Sequence, residues 1–480
     1  MNARHLVCVG LLCSALGVPL FGAATITIQN LDGAGEGFND PTVVAPVGGN
    51  AGTTMGAQRL NVFQAAANVW GATLTSVPAI VVQAQFNPQT CTSTGATLGA
   101  AGPTTFFSDP SGTILTPANT LFHAALTNKI TASDNNGATA EINAIFNSNL
   151  GGGGVGVAAG CPFTFYMGLD NNPPVGQTDL LPVVLHELAH GLGFSTSTDG
   201  STGARLSGRN HKYDTFLFDL TQNLAWPSMT DAQRAASAVN PRKLVWTGAN
   251  VSGALPSVLT LGTPELVVTA PPSLANTYLA SAFQGAAPPY PNLSFPGVSG
   301  EVMPAWDSVA PLEDACTAIA AASAIGVNGK IAVVDRGNCT FDTKVANATA
   351  AGAIGVIIIN NVAGTPPPIT GASATPAIPS LIISQADGAL LRNQLRFRSR
   401  TRSGIFATIR SNTAIFSGAD SLGRALMFTP NPFQGGSSVS HWDPSAFRSQ
   451  LMEPNFSLGL TLSVVPPQDL SFKLLQDLGW

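Results

Sequence analysis

The stretch TDLLPVVLHELAHGLGF, Thr178 to Phe194, decides how the rest of the chain is read. It contains His186-Glu187-x-x-His190. Residues four apart on a helix lie one above the other, so both imidazoles can face one metal ion. Glu187 sits one residue round from the first histidine, near enough to touch a water on that metal without ligating it. The flanks suit a helix. Thr178 or Asp179 can cap its start, Pro182 falls in the first turn where a missing N–H costs little, and Gly191 and Gly193 can end it. A purely structural helix would bury the glutamate beside two histidines with nothing to offset it, which is expensive. The motif therefore reads as two ligands and a base of a zinc site.

A zinc ion that does chemistry takes three protein ligands and keeps a fourth position open. Beyond position 24 the histidines are His123, His186, His190, His211 and His441. The compact spacing H-E-x-x-H-x-x-G-x-x-H puts the third ligand at position 196, where the chain has Thr196, and a hydroxyl is a poor zinc ligand. His441 is the preferred third donor, because Met452 follows it in the turn-like Leu451-Met452-Glu453-Pro454. His211, flanked by Arg209 and Lys212, or a carboxylate such as Asp214 or Asp219, stands as the alternative. His123 lies in an apolar helix and reads as a satisfied core or surface residue.

The 480 residues allow two or three domains, and at 45% hydrophobic they can bury substantial cores. Only 10% are charged, with Gly (50) and Pro (35) abundant, and the net charge of −5 argues against nucleic acid as a partner. Met1 to Ala24 reads as a signal peptide: Arg4, an apolar run from Leu6 to Phe21, then Gly22-Ala23-Ala24. No later segment is long and apolar enough to span a bilayer. The expectation is a secreted protein, extracellular or periplasmic, with no membrane anchor in the mature chain. Cys8 and Cys13 leave with the signal. The remaining four are expected to pair as neighbours, Cys91 with Cys161 and Cys316 with Cys339, which keeps each bridge inside one domain. The absence of Cys-x-x-Cys argues against a cysteine-held zinc.

The order of elements is α/β. A strand at Thr25–Asn30, a helix at Gln58–Trp70, a strand at Ile80–Phe86 and a helix at Pro117–Leu126 precede strands at Glu141–Phe146 and Phe163–Leu169. The Gly151–Gly154 run lacks the Lys-Ser/Thr of a phosphate loop and reads as a flexible turn. Further on, Lys330–Asp335 and Ile354–Ile359 are strands around a helix at Phe341–Ala351. Ile378–Ser384 is another strand, and Ser384 can cap a helix running to Leu395. Arg392, Arg396, Arg398, Arg400 and Arg402 read as a solvated strand edge rather than a polyanion site. Leu470–Leu478 closes the chain as a helix.

His186-Glu187-Leu188-Ala189-His190-Gly191-Leu192-Gly193-Phe194, the delayed His441-Trp442-Asp443 and the following Met452 resemble the leishmanolysin-type metzincins. The resemblance implies a zinc endopeptidase acting on protein or peptide substrates. It makes His186, His190 and His441 the ligands, Glu187 the catalytic residue, and Met452 the apolar floor beneath the metal. The chain departs from that family in the length of the gap from position 190 to 441 and in showing no long pro-segment. A second resemblance accounts for the gap. Gly329-Lys330-Ile331-Ala332-Val333-Val334-Asp335-Arg336-Gly337-Asn338-Cys339-Thr340-Phe341, followed by Lys344-Val345, Ala351-Gly352-Ala353 and Val356-Ile357-Ile358-Ile359-Asn360-Asn361, is similar to a protease-associated (PA) domain. The expected layout is a signal at 1–24, a protease part at 25–256, an inserted PA domain at 257–412, and a second protease part at 413–480. The rival expectation is an exported PA-domain binding protein on an inactive metalloprotease-like scaffold, against which the intact Glu187 weighs. Oligomeric state is not legible.

Overall fold

The computed structural model describes residues 22–284, 297–367, 369–370, 378–457 and 459–480. The signal segment expected at 1–24, with Cys8 and Cys13, falls almost wholly outside them. Among the described residues no helix is long and apolar enough to cross a membrane.

The chain is a mixed α/β protein. Its first sheet has four strands in the order Ile26–Asn30, Ile80–Asn87, Ile142–Asn147, Gly99–Pro103. The first three are parallel and the last runs antiparallel at the edge. Period-two alternation sets its faces: Ile80, Val82, Ala84 and Phe86 are buried while the residues between them are half-exposed. The buried face carries the helix Met55–Thr73 and the His-Glu helix Leu180–Leu192, tied together where Trp70 Nε1 donates to the Leu185 carbonyl at 3.0 Å. Phe63 meets Phe38 and Phe146 edge-on, each at 4.8 Å between ring centroids, within this same core.

A second sheet has eight strands, beginning at Leu261–Ala270 and ending at Phe406–Phe416. Its middle is a parallel run of Val298–Pro304, Ile331–Asp335, Gly355–Ile359 and Ser380–Ile383. The strand Leu261–Ala270 pairs with both Phe406–Phe416 and Asn276–Gln284, so the sheet closes on itself. Burial on both faces explains the unbroken apolar runs IAVV and VIII. The helix Gln385–Leu395 covers one face through Leu391 and Leu395. Helices Ala321–Val327 and Phe341–Ala350 cover the other through Val327, Val345 and Ala348.

Two expectations are corrected here. Pro117–Leu126 is not a helix: Asn119 takes a left-handed φ of 54°, Phe122–His123 is a short strand, and helix runs only from Ala124 to Thr131. The arginine run is not a strand edge. Arg392 lies on the helix Gln385–Leu395, and the next strand begins only at Phe406. The alternation of arginine with Phe397 and Ser399 imitates a strand period in what is a helix end and its turn. Cys91 is bonded to Cys161, and Cys316 to Cys339.

Candidate metal centre

The His-Glu helix starts where the Asp179 carboxylate accepts from the Leu181 N–H at 3.1 Å. It can lie close to the sheet because position 191 has no side chain. A Cβ there would come 2.4 Å from Ile142 Cγ2. His186 and His190 therefore leave the helix on one face, away from the sheet. The third histidine arrives on a segment held from several sides. Phe428 donates to the His441 carbonyl, Tyr213 Oη donates to the Val439 carbonyl, and the Trp442 ring packs edge-on to Phe194 at 5.0 Å. Asp443, next along, makes a buried ion pair with Arg242 at 3.4 Å.

The result is one cluster. His186 Nε2 lies 3.1 Å from His190 Nε2 and 3.1 Å from His441 Nε2. Among the described residues this is the group of three potential ligands that comes together. Each ring gives its other nitrogen to a backbone carbonyl: His186 Nδ1 to Leu451, His190 Nδ1 to Phe194 and His441 Nδ1 to Ser437, all at 2.7 Å. Those bonds fix the tautomer, with the proton on Nδ1 and the lone pair on Nε2. Burial keeps the rings neutral. It lowers His186 to about 4 and His190 to about 3, and holds His441 well below its usual range. Three neutral imidazoles with lone pairs converging repel one another unless a cation lies among them.

Glu187 is buried beside this cluster, and burial pushes its carboxyl up to about 8 against the opposing hydrogen bond from the Ala101 N–H. Ala101 belongs to the edge strand Gly99–Pro103, which sequence reasoning missed. That strand's Gly-Ala-Ala-Gly-Pro has neither β-branched residues nor alternation to announce it. Its small residues are what let it lie against the helix: a Cβ at Gly99 would be 3.3 Å from Glu187 Cγ. The cleft in front of the cluster has a volume of about 750 Å³ and is lined by this strand, by Pro182 and Val183, by Phe433 and Phe456, and by the buried Glu453.

The other residues considered lie elsewhere. His211 lies tilted against His123 (4.9 Å between centroids) and edge-on to Phe106 (5.5 Å), and neither of its ring nitrogens has a partner among the described residues. His123 is buried, with Nδ1 against the Gly191 carbonyl. Asp214 accepts from the Thr196 and Thr198 hydroxyls, and Asp219 from the Thr221 and Gln222 N–H groups. Thr196, at the compact-pattern position, thus anchors a loop. Met452 is fully buried in the turn after His441, and its carbonyl accepts from the Trp442 N–H at 2.9 Å.

A family model described as the PA domain matches residues 298–391. Among curated proteins, the chain is 46% identical over 63 residues to the PI-type proteinase of Lactococcus lactis subsp. cremoris, covering 13% of this chain and 3% of that protein. It is 44% identical over 63 residues to leucine aminopeptidase 2 of Arthroderma otae, 13% of either chain. With a C5a peptidase of Streptococcus pyogenes it shares 44% over 68 residues, 14% of this chain and 6% of that one. The chain thus spans only a small part of these relatives. Among solved structures, BSAP, a zinc aminopeptidase from Bacillus subtilis, aligns with a TM-score of 0.23 at 22% identity, covering 34% of this chain and 35% of that one. An aminopeptidase from Aneurinibacillus sp. strain AM-1 aligns with a TM-score of 0.22 at 18% identity, covering 45% of each. Scores that low carry no argument about this chain.

Proposed function

We propose that the chain is a secreted zinc-dependent endopeptidase of the leishmanolysin-like metzincin type, acting on protein or peptide substrates. In this reading a PA domain at 257–412 is inserted between the second and third metal ligands of a protease formed by residues 25–256 and 413–480. One observation carries it: three neutral imidazoles, their Nδ1 protons given to carbonyls, turn their Nε2 lone pairs toward one point beside a buried carboxylate. The donor set fits zinc. Bonds of 2.0–2.1 Å place the corners of a tetrahedron roughly 3.3 Å apart, close to the observed separations of 3.1 Å.

His186, His190 and His441 would hold the ion. Zinc bound there supplies Lewis acidity, which brings a bound water's pKa to about 7 and polarises a carbonyl. Glu187 accepts the proton of the attacking water and gives it to the departing amine. Its burial suits that exchange, since a carboxyl that prefers to be neutral returns its proton less readily to bulk water, while a neighbouring cation draws its pKa back down. The outer edge of Gly99–Pro103 has no strand partner among the described residues, so its backbone can pair with an extended peptide. Met452 forms the apolar floor beneath the ligands. The two disulfides suit an oxidising compartment, and the segment shared with proteins named as proteinases and peptidases agrees with a protein substrate.

The test is metal content by mass spectrometry together with casein hydrolysis. One zinc per chain and hydrolysis abolished by a chelator and restored by zinc are expected. Hydrolysis that persists in the metal-free protein would overturn the mechanism, and a fully zinc-loaded protein that cleaves no protein would favour the binding-scaffold reading.

A further inference from the structure

The eight-stranded sheet has its own cavity, of about 810 Å³, remote in sequence from the histidine cluster. It lies where two parallel strands end. Asp335 closes Ile331–Asp335 and Ile359 closes Gly355–Ile359, and both line it together with the residues that follow them, Arg336 and Asn360. The helix Phe341–Ala350 leaves to one face of the sheet and Gln385–Leu395 to the other, so the carboxyl ends of these strands form a crevice between layers. Parallel strands flanked by helices bind ligands beyond their carboxyl ends, in closed barrels as in open sheets.

The charges in the crevice sort into used and unused. Arg392 pairs with Asp335 at 2.7 Å, and Arg336 donates to Asn360 Oδ1 at 2.9 Å. Asp314 accepts from Asn338 Nδ2 at 2.8 Å. Arg396 and Arg398 have no carboxylate partner among the described residues. The Arg398 guanidinium lies 4.4 Å over the Trp306 ring, which fixes its plane, and its Nε is buried with nothing to bond. The lining carries Arg336, Arg392, Arg396 and Arg398 against Glu313, Asp314 and Asp335, so its formal charge is one positive. The carboxamides of Asn361 and Asn393, which also line the cavity, make no side-chain hydrogen bond among the described residues. A pre-oriented guanidinium, a second arginine at the rim and spare amides together match a carboxylate on a peptide backbone.

We propose that this crevice binds a peptide segment through a carboxylate, held by Arg396 and Arg398 and flanked by Trp306. Choosing a peptide rests on the peptidase reading above, whereas the anionic specificity rests on the arginines alone. Arg392 is paired with Asp335 and Arg336 is bonded to Asn360, so the contact falls to Arg396 and Arg398, which have neither. The site separates substrate capture from cleavage.

The experiment is titration calorimetry on full-length protein carrying Glu187→Gln, so that binding is read without hydrolysis. Three probes differ in whether and where they carry one carboxylate: acetyl-Ala-Ala-Ala-Gln with a free carboxyl terminus, acetyl-Ala-Ala-Ala-Glu amide, and acetyl-Ala-Ala-Ala-Gln amide. At least one charged peptide is expected to bind roughly ten-fold or more tighter than the neutral one, the usual worth of a charged hydrogen bond, and which one binds identifies a chain terminus or an acidic side chain as the source. Arg396→Gln with Arg398→Gln should remove that preference, while Arg400→Gln with Arg402→Gln, outside the crevice, should leave it unchanged. Arg396→Gln alone, at an exposed position, should weaken binding even if the Trp306 stack is disturbed in the double variant. Equal binding of all three peptides would overturn the proposal, as would no binding at about 1 mM. Equal losses in both arginine pairs would overturn it in favour of a diffuse surface that attracts polyanions. A failure of casein hydrolysis leaves this measurement intact, and the converse holds.

Discussion

At the scale of single residues, the cluster makes separable demands. Glu187→Ala removes a proton carrier without touching a ligand, so zinc content stays near one per chain while turnover falls by roughly 10²–10⁴-fold. Equal rates in purified variant and wild type would remove Glu187 from the mechanism. In the proposed site His441→Ala removes one of three ligands and is expected to strip the metal. His211→Phe should do no harm, since both nitrogens of that ring are buried without partners and each unsatisfied polar group costs about 1–3 kcal/mol. Metal analysis with thermal melts separates these outcomes: an empty His211→Phe variant would move the third ligand to that segment. Glu453 gives a pH signature. Burial raises its carboxyl from 4.5 to about 8, partly offset by the Gln450 N–H. A raised carboxyl keeps its proton in the folded state, so the stability it contributes is complete below about 4.5 and is lost as pH climbs toward about 8. Glu453→Gln should therefore gain in Tm over metal-free wild type between pH 5 and pH 8. Parallel melting profiles would show an ordinary carboxylate.

At the scale of elements, the His-Glu helix was legible because each of its signals is local: an aspartate cap, a proline in the first turn, a periodic apolar face. The glycine that lets it approach the sheet is testable by itself. Gly191→Ala puts a methyl 2.4 Å from Ile142 Cγ2, and overpacking of that kind costs about 1–3 kcal/mol. A denaturant midpoint that drops when Gly191→Ala is made in the wild type, but not when it is made in Ile142→Ala, is the expected pattern; no drop in the wild type would mean that the strand yields freely. The edge strand Gly99–Pro103 was illegible for the opposite reason. Its residues are chosen for thinness against Glu187, and thinness leaves no alternating pattern. The same holds for Leu261–Ala270, where Gly262 and Pro264 hide a strand one of whose two partners lies far off at Phe406–Phe416. The helix expected at Pro117–Leu126 is broken by a left-handed Asn119. The Arg392–Arg402 run shows how an alternation of residue types can belong to a turn.

At the scale of the whole molecule, the disulfides divide the chain as neighbour pairing suggests, one in each region. Their sequence separations are 70 and 23 residues. Loop-closure entropy then gives losses of about 4 kcal/mol for Cys91→Ser with Cys161→Ser and about 3 kcal/mol for Cys316→Ser with Cys339→Ser. Non-reducing peptide maps that join either member of one pair to the other pair would contradict the structure. The long step from His190 to His441 also carries a consequence for biosynthesis. A ribosome has polymerised every strand of the closed sheet before it reaches codon 441. Until that moment the nascent polypeptide owns two imidazoles of a three-imidazole nest, and any copy that terminates early owns no more. On the proposed ligand set, metal binding waits for codon 441, and copies ended before it are expected to hold no zinc.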